Sequence, residues 1–585
     1  MSVSVAVREH PLLTPKASPE RELAEFAGLT ALLNCYIREF ARPAGRVKLV
    51  RQGNIPLSLT SRMVSGEVVL LELGDAGDTL FAIRASRWSL LGRGDYTGSP
   101  FVKQFGRPWR AVGCSEAIAF LVNDMVRQTG QLPDLELMEQ IENSVQVTTS
   151  FLQNQPCDTG EHSYIRSEES LLWGHPMHPS PKSRQGVTQT ALLACSPEIS
   201  ARFSLFWFRI HPSLLQVRGT APIAAMLEHL NGDNCYPCHP WEVPHITASP
   251  LYIRATEAGL ITPLGQTGPE FAATSSVRTL YRAGQPYYLK CSIHVRLTNC
   301  VRKNAWYELE SAVAMNALLE PRFVHLESTV PGFHIMREPA ASSLDFTAVA
   351  KADEEEDIRY LQECFGILYR ENQQNGQPLL AAALFALDRY GNSPLQTIIR
   401  QLSVAQGISV RQAGELWLEN YLQVLLPGVL EAFFTEGLVF EPHLQNVLLT
   451  IENHLPTDVW VRDLEGTKLT TECWSASDLT MMSERARQSV WYSREQGWRR
   501  VAYCLLINHL SEVLFRLADG DRQREQRLWD ILAEKLARWQ HQPEIAAILS
   551  GAPVPSKNNL KTRLLQKADK LADYTMMQHP MRSTQ

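Results

Sequence analysis

Three stretches of the chain gather side chains suited to handling polyanions. In the first, Gly174-His175-Pro176-Met177-His178-Pro179-Ser180-Pro181-Lys182-Ser183-Arg184-Gln185-Gly186, two His, two Ser, one Lys and one Arg fall within ten residues. Three prolines and the flanking glycines hold the segment out of regular structure. The set is almost entirely hydrogen-bond donors, which suits a triphosphate; the plain alternative is a surface loop with incidental charge. The second stretch runs from Thr274-Ser275-Ser276-Val277-Arg278-Thr279 to Tyr287-Tyr288-Leu289-Lys290-Cys291-Ser292-Ile293-His294-Val295, then Thr298, Asn299 and Arg302. A three-residue hairpin loop centred on Gly284 predicts Arg278 opposite Lys290, a pairing that calls for an anion between them. A two-residue loop would put them on different faces.

The third stretch is Glu441-Pro442-His443-Leu444-Gln445-Asn446, followed by two short apolar runs that end at Arg462-Asp463. Pairing Leu448 with Val461 predicts Asn446 beside Asp463 at the open end of a hairpin. An amide oxygen and a carboxylate together suit Mg²⁺, although the two could equally cap strand ends. Cys235-Tyr236-Pro237-Cys238-His239 has the spacing of covalent haem attachment. A zinc site would need a second ligand pair, and none is evident nearby, so neither metal is expected there.

The elements that must position these stretches follow from periodicity. Residues 20 to 45 read as an amphipathic helix with Leu23, Phe26, Leu29, Leu32 and Leu33 on one stripe. Residues 46 to 104 read as β and turns, 115 to 154 as helix, 156 to 161 as loop, and 203 to 301 as strand-rich. After the charged segment Lys351 to Asp357, helices dominate, interrupted by one hairpin at 446 to 463. The basic stretch from Lys557 to Lys570 reads as a solvated helical face, with Leu560, Leu564 and Leu571 inward. The expected class is α+β in three parts: 1–173 largely helical, 174–350 sheet-rich, 351–585 mostly helical.

The 585 residues exceed what one core comfortably serves. With 44% hydrophobic and 20% charged residues the composition is globular. A formal charge of -6 argues against a general nucleic-acid binder, so the basic clusters need a local explanation. The start lacks a cationic then apolar leader, and no apolar run approaches the roughly 18 residues of a membrane span. Eleven cysteines without a framework spacing fit a reducing compartment. A cytoplasmic protein without a membrane partner is expected.

In this order the segments resemble the siderophore synthetases that act independently of nonribosomal peptide synthetases, the aerobactin-synthetase-like (IucA/IucC) family. The resemblance rests on His175-Pro176-x-His178-Pro179-x-x-Lys182-x-Arg184-x-Gly186, His239-Pro240-Trp241-Glu242, Ser275-Ser276-x-Arg278-Thr279, Lys290, Thr298-x-x-x-Arg302, Glu441-x-His443-x-Gln445-Asn446 and Arg462-Asp463. It implies a cupped hand of thumb, fingers and palm, and an ATP-dependent ligase. Such a ligase adenylates a carboxylate of citrate, a citryl intermediate or α-ketoglutarate and passes the acyl group to an amine or alcohol. By motif match, His178, Ser180, Lys182, Arg184, Lys290 and Gln445 would contact ATP. Ser276, Arg278, Thr298, Arg302, His443, Arg500 and Tyr503 would hold the acid, with Arg302 and His443 catalytic. Glu441, Asn446 and Asp463 would face Mg²⁺, and a homodimer is implied. Where the family often has Gln after His-Pro-Trp, this chain has Glu242, which is left out of the site. Two other readings compete: a small-molecule kinase using His443, Asn446 and Asp463, against which no Walker A sequence is found, and a non-enzymatic binder of anions.

Overall fold

The computed structural model describes residues 18–51, 56, 59, 66–74, 77–130, 135–156, 163–297, 300–372, 378–480, 482, 484–567 and 572–581. The first helix, Pro19–Tyr36, starts where Ser18 Oγ accepts the Arg21 N–H at 3.2 Å, with Pro19 supplying the preset φ of a first helical residue. Leu29, Leu32 and Leu33 are fully buried, as the stripe requires, whereas Leu23 faces outward. The helix then widens into a π-helical turn at Ile37–Ala41. Five antiparallel strands follow from Val47–Val50 to Arg110–Ala111, backed by helices Cys114–Thr129 and Leu135–Asn154. Leu560 and Leu564 from the far end of the chain complete this first core.

The second part is an eight-stranded sheet. Its order is Leu215–Gly219, Ala340–Leu344, Ile367–Glu371, Tyr287–Cys291, Thr279–Tyr281, Ile261–Ala273, Arg202–Ile210, Cys235–Cys238. Aromatic and aliphatic side chains including Trp207, Phe208 and Tyr236 fill its core. The third part packs helices around Val410–Phe434, a helix opened by a full capping box between Ser409 and Gln412. A four-stranded sheet carries the hairpin Val447–Glu452 and Leu455–Val461. Around the expected border at 350 the chain crosses over more than once. Phe333–Ile335 pairs with Leu455–Val461 in the third part, and Ile367–Glu371 returns to the middle of the eight-stranded sheet.

Several local expectations are corrected. Both functional hairpins are shifted by one residue. Thr279, not Arg278, lies opposite Lys290: the ladder runs Thr279–Lys290 and Leu280–Leu289, the even-numbered register centred between Gly284 and Gln285 that separates the faces of Arg278 and Lys290. Likewise Val447, not Leu448, lies opposite Val461, so Asn446 pairs with Arg462 and Asp463 stands one step beyond. The C-terminal basic stretch is not one solvated helix. It comprises strand Val554–Lys557 and the short helix Asn559–Leu564, in which Thr562 and Arg563 are buried too; Leu571 lies outside the described residues. The helical run Arg494–Ala518 is apolar and long enough to cross a bilayer by composition, yet almost all of it is buried in the third core. Its middle, Tyr503–Leu510, is a second π-helical segment.

Candidate functional site

One cavity of about 1850 Å³ opens between the three parts, and the chemistry-bearing segments converge on it. His178, Lys182, Arg184, Lys290, Gln445, Ser276, Arg278, Arg302, His443, Arg500, Tyr503, Glu441, Asn446 and Asp463 all line it. Thr298 lies outside the described residues. Ser180 departs from expectation: it is fully buried, with its Oγ unpartnered, and is absent from the wall, where Pro181 and Ser183 stand instead. Fifteen Lys and Arg line the cavity against seven Asp and Glu, so a chain that is acidic overall presents a cationic interior.

The loop at 174–186 is organised by its His-Pro steps. Proline has no N–H and a fixed φ, so each imidazole turns back to cap the next available amide. His175 Nδ1 accepts the Met177 N–H at 3.0 Å and His178 Nδ1 accepts the Ser180 N–H at 3.2 Å. The same closure recurs at His239, where Nδ1 accepts the Trp241 N–H at 3.1 Å. Cys235 and Cys238 are strand residues beside it. Burial lowers the His175 pKa to about 3 and the His239 pKa to about 3.

Lys182 and Arg184 share one buried carboxylate. Lys182 Nζ lies 2.6 Å from Glu198 Oε1, and Arg184 pairs with the same oxygen while stacking over Phe151. Burial lowers the Lys182 pKa, with Glu198 opposing; burial would raise Glu198, but Arg184 and Lys182 hold it at about 2. By formal charge the trio carries one net positive charge at the cavity wall.

Ser276 and Arg278 sit on a tight turn. Val277 between them is a β-branched residue with φ of 69°, a left-handed conformation costing about 1–3 kcal/mol. The Thr279 N–H donates to Ser276 Oγ at 3.2 Å, which holds the turn closed. The expected anion between Arg278 and Lys290 exists within the protein, at Glu465: its Oε2 is 2.6 Å from Lys290 Nζ and 3.6 Å from Arg278 Nη2. Lys290 also pairs with Asp463, which Arg370 Nη2 approaches at 2.8 Å. Burial would raise the Asp463 pKa, but Lys290 and Arg370 hold it well below the carboxylate range. Asp463 is left-handed as well, with φ of 76°.

The Glu441-to-Asn446 loop, which meets the Arg462-Asp463 end of the hairpin, is pinned from behind. Tyr421 Oη donates to His509 Nε2 at 2.5 Å, and His509 Nδ1 donates to the Pro442 carbonyl at 2.7 Å. Arg462 donates to the Gln445 carbonyl and pairs with Glu168, a fully buried carboxylate that also accepts from Tyr164 Oη and the Ser275 N–H. Arg500 pairs with Glu441 and meets Tyr492. Asn446 Nδ2 donates to the Glu441 carbonyl at 3.2 Å, which leaves its Oδ1 for another partner.

Sequence reading missed the counter-charges Glu168, Glu198, Glu338, Glu465 and the strand cation Arg370. None of them sits in a dense polar stretch of the kind that drew attention at 174–186, and Glu338 finds its partner in Arg370. The available signal was that such residues are almost never buried unless paired. Glu242, set aside earlier, is fully buried and bound to His294 Nδ1 at 2.6 Å.

A family model described as "IucA / IucC family" matches residues 163–386, and one described as "Ferric iron reductase FhuF-like transporter" matches 415–572. The chain is 29% identical to an L-2,3-diaminopropanoate–citrate ligase of Staphylococcus aureus, over 77% of this chain and 80% of that one. It is 25% identical to a spermidine-citrate ligase of Bacillus anthracis, over 96% and 98% respectively. The ATP-bound aerobactin synthetase IucA of Klebsiella pneumoniae shares the fold at a TM-score of 0.81 and 21% identity, covering 95% of this chain and all of that one.

Proposed function

The chain belongs to the IucA/IucC family, and on that premise we propose that it is an ATP-dependent siderophore synthetase that joins citrate, or a citryl intermediate, to an amine or alcohol. The observation that carries this reading is the convergence of two separate cationic walls on one cavity. Citrate near neutrality is close to a trianion and ATP is more negative still. Bringing them together where water is partly excluded demands fixed positive charge on both sides.

Lys182, Arg184, His178, Lys290 and Gln445 are assigned to the nucleotide, and Ser276, Arg278, Arg302, Arg500 and Tyr503 to the acid. A carboxylate oxygen attacks the α-phosphorus, pyrophosphate leaves, and the acyl-adenylate meets the acceptor. AMP leaves with the oxygen it took from the acid. The protein's part is to hold the two anions in line, to offset charge and to exclude water. Glu441, Asn446 and Asp463 offer hard oxygen donors on the same wall, which fits Mg²⁺. When bound there, the ion would neutralise phosphate charge. Such a biosynthetic enzyme would work in the cytoplasm, and a homodimer is proposed from the family.

His443 is assigned the proton of the incoming amine. Burial lowers its pKa, with Glu441 and Asp463 opposing and Arg462 and Arg500 assisting. A lowered pKa means the neutral, proton-accepting form persists to more acidic pH than an ordinary His near 6.5. The acidic limb that His443 contributes to kcat at saturating amine is therefore expected with its midpoint below pH 6.5, and His443→Gln removes that limb. A limb at or above pH 6.5 in the unaltered enzyme would take this role from His443.

The function is tested by supplying ATP, citrate and a panel of amines. AMP and pyrophosphate dependent on both acid and amine are expected. ADP would indicate a kinase, and citrate binding without turnover would indicate a binding protein.

A further inference from the structure

We propose that Arg38 is the docking point for a carboxylate on the acyl acceptor, so that the enzyme takes an amine of the amino-acid type in preference to a plain polyamine. This inference rests on the ligase reading above. Arg38 lies in the π-helical turn Ile37–Ala41 and lines the cavity from the thumb side. It is only 6% exposed and its Nε is buried without a hydrogen-bond partner; among the described residues no carboxylate forms an ion pair with it.

The nearby carboxylates are committed elsewhere. Glu39, next in sequence, spends both oxygens on the Leu560 and Lys561 N–H groups, at 3.0 and 2.7 Å, and burial raises its pKa to about 7. At neutral pH it is an incomplete counter-ion. Asp95 and Glu512 are shared between Arg93 and Arg516. A guanidinium keeps its proton even when buried, and an uncompensated buried charge is costly, so the missing partner is an anionic ligand.

Position selects the acceptor as that ligand. The nucleotide and the acid have their own cations on segments of the second and third parts, whereas Arg38 is brought to the cavity by the first helix. His175 lies within electrostatic reach of both Arg38 and His443. An acceptor spanning His175 would give its amine to His443 and its carboxylate to Arg38.

The test compares unaltered enzyme and Arg38→Met with matched acceptors: 2,3-diaminopropanoate against ethylenediamine, and lysine against 1,5-diaminopentane. The unaltered enzyme should prefer the amino acid of the pair it accepts. In the variant, KM for that amino acid should rise about 10- to 100-fold, the loss of one charge-assisted contact, while the diamine is unchanged. Hydroxamate formation from citrate, ATP and hydroxylamine should also be unchanged, since hydroxylamine has no carboxylate. The ligand-free variant should gain thermal stability, because an unpaired buried charge has gone. Equal effects on both members of a pair, a fall in hydroxamate formation, or a lower melting temperature would overturn the assignment, the second by moving Arg38 to the citrate subsite and the third by making it structural. Absence of hydroxamate from the unaltered enzyme would instead overturn the ligase reading itself.

Discussion

Replacing Arg302 with alanine should cut acid-dependent turnover by about 10³-fold in kcat/KM, the scale of losing a preorganised charge at the reacting group. Arg302 ends the short strand Cys300–Arg302, which pairs with Ile293 in the neighbouring strand, and its side chain lines the cavity on the same wall as Arg278. The strand is short and at the edge of a three-stranded sheet, and the variant is expected to fold. ATP binding should survive, because Lys182 and Arg184 are held by Glu198 on a separate segment. Steady-state kinetics beside a melting curve check both halves. Full activity in a folded variant would remove Arg302 from the acid site.

The largest loss of stability is expected at Arg462. This guanidinium is buried against Glu168, which has no exposed surface, and the pair ties the third part of the fold to the segment before the proline-rich loop. Burial would raise the Glu168 pKa, but Arg462 keeps it lowered and ionised. Arg462→Met leaves that carboxylate stranded in the interior at a cost of about 3–5 kcal/mol. Because Arg462 also holds the Gln445 carbonyl at 3.0 Å, the Gln445–Asn446 wall should loosen and activity fall with stability. Adding Glu168→Gln should restore much of the stability and little of the activity, read from urea unfolding and turnover side by side. A double variant as unstable as Arg462→Met alone would show that the charge was not the issue.

The contrast between these two arginines explains what was legible in the sequence. Arg302, Arg278 and Lys182 sit in dense polar stretches whose composition advertises an anion, and their convergence on one cavity follows that signal. The partners that fix them do not advertise themselves. Glu168, Glu198 and Glu465 take their role only when separate segments meet, in pairings that a sequence pattern does not encode. Strand alternation was readable, but register was not. The position of the turn decides register, and a ladder centred between Gly284 and Gln285 rather than on Gly284 moved Arg278 one step from its expected partner. The π-helical turns that place Arg38 and Tyr503 at the cavity were also invisible. A π-helical turn is set by the backbone bonding i to i+5, for which no residue type in these segments is diagnostic.

The central claim is that this cavity makes a mixed anhydride between an organic acid and AMP. The direct measurement uses citrate carrying ¹⁸O in its carboxylates, with ATP and a productive amine. If a carboxylate oxygen attacks the α-phosphorus, that oxygen remains on the phosphorus when the amine displaces AMP. Each turnover should therefore yield AMP with one ¹⁸O and unlabelled pyrophosphate. Label in inorganic phosphate alongside ADP, or AMP without label, would contradict the account.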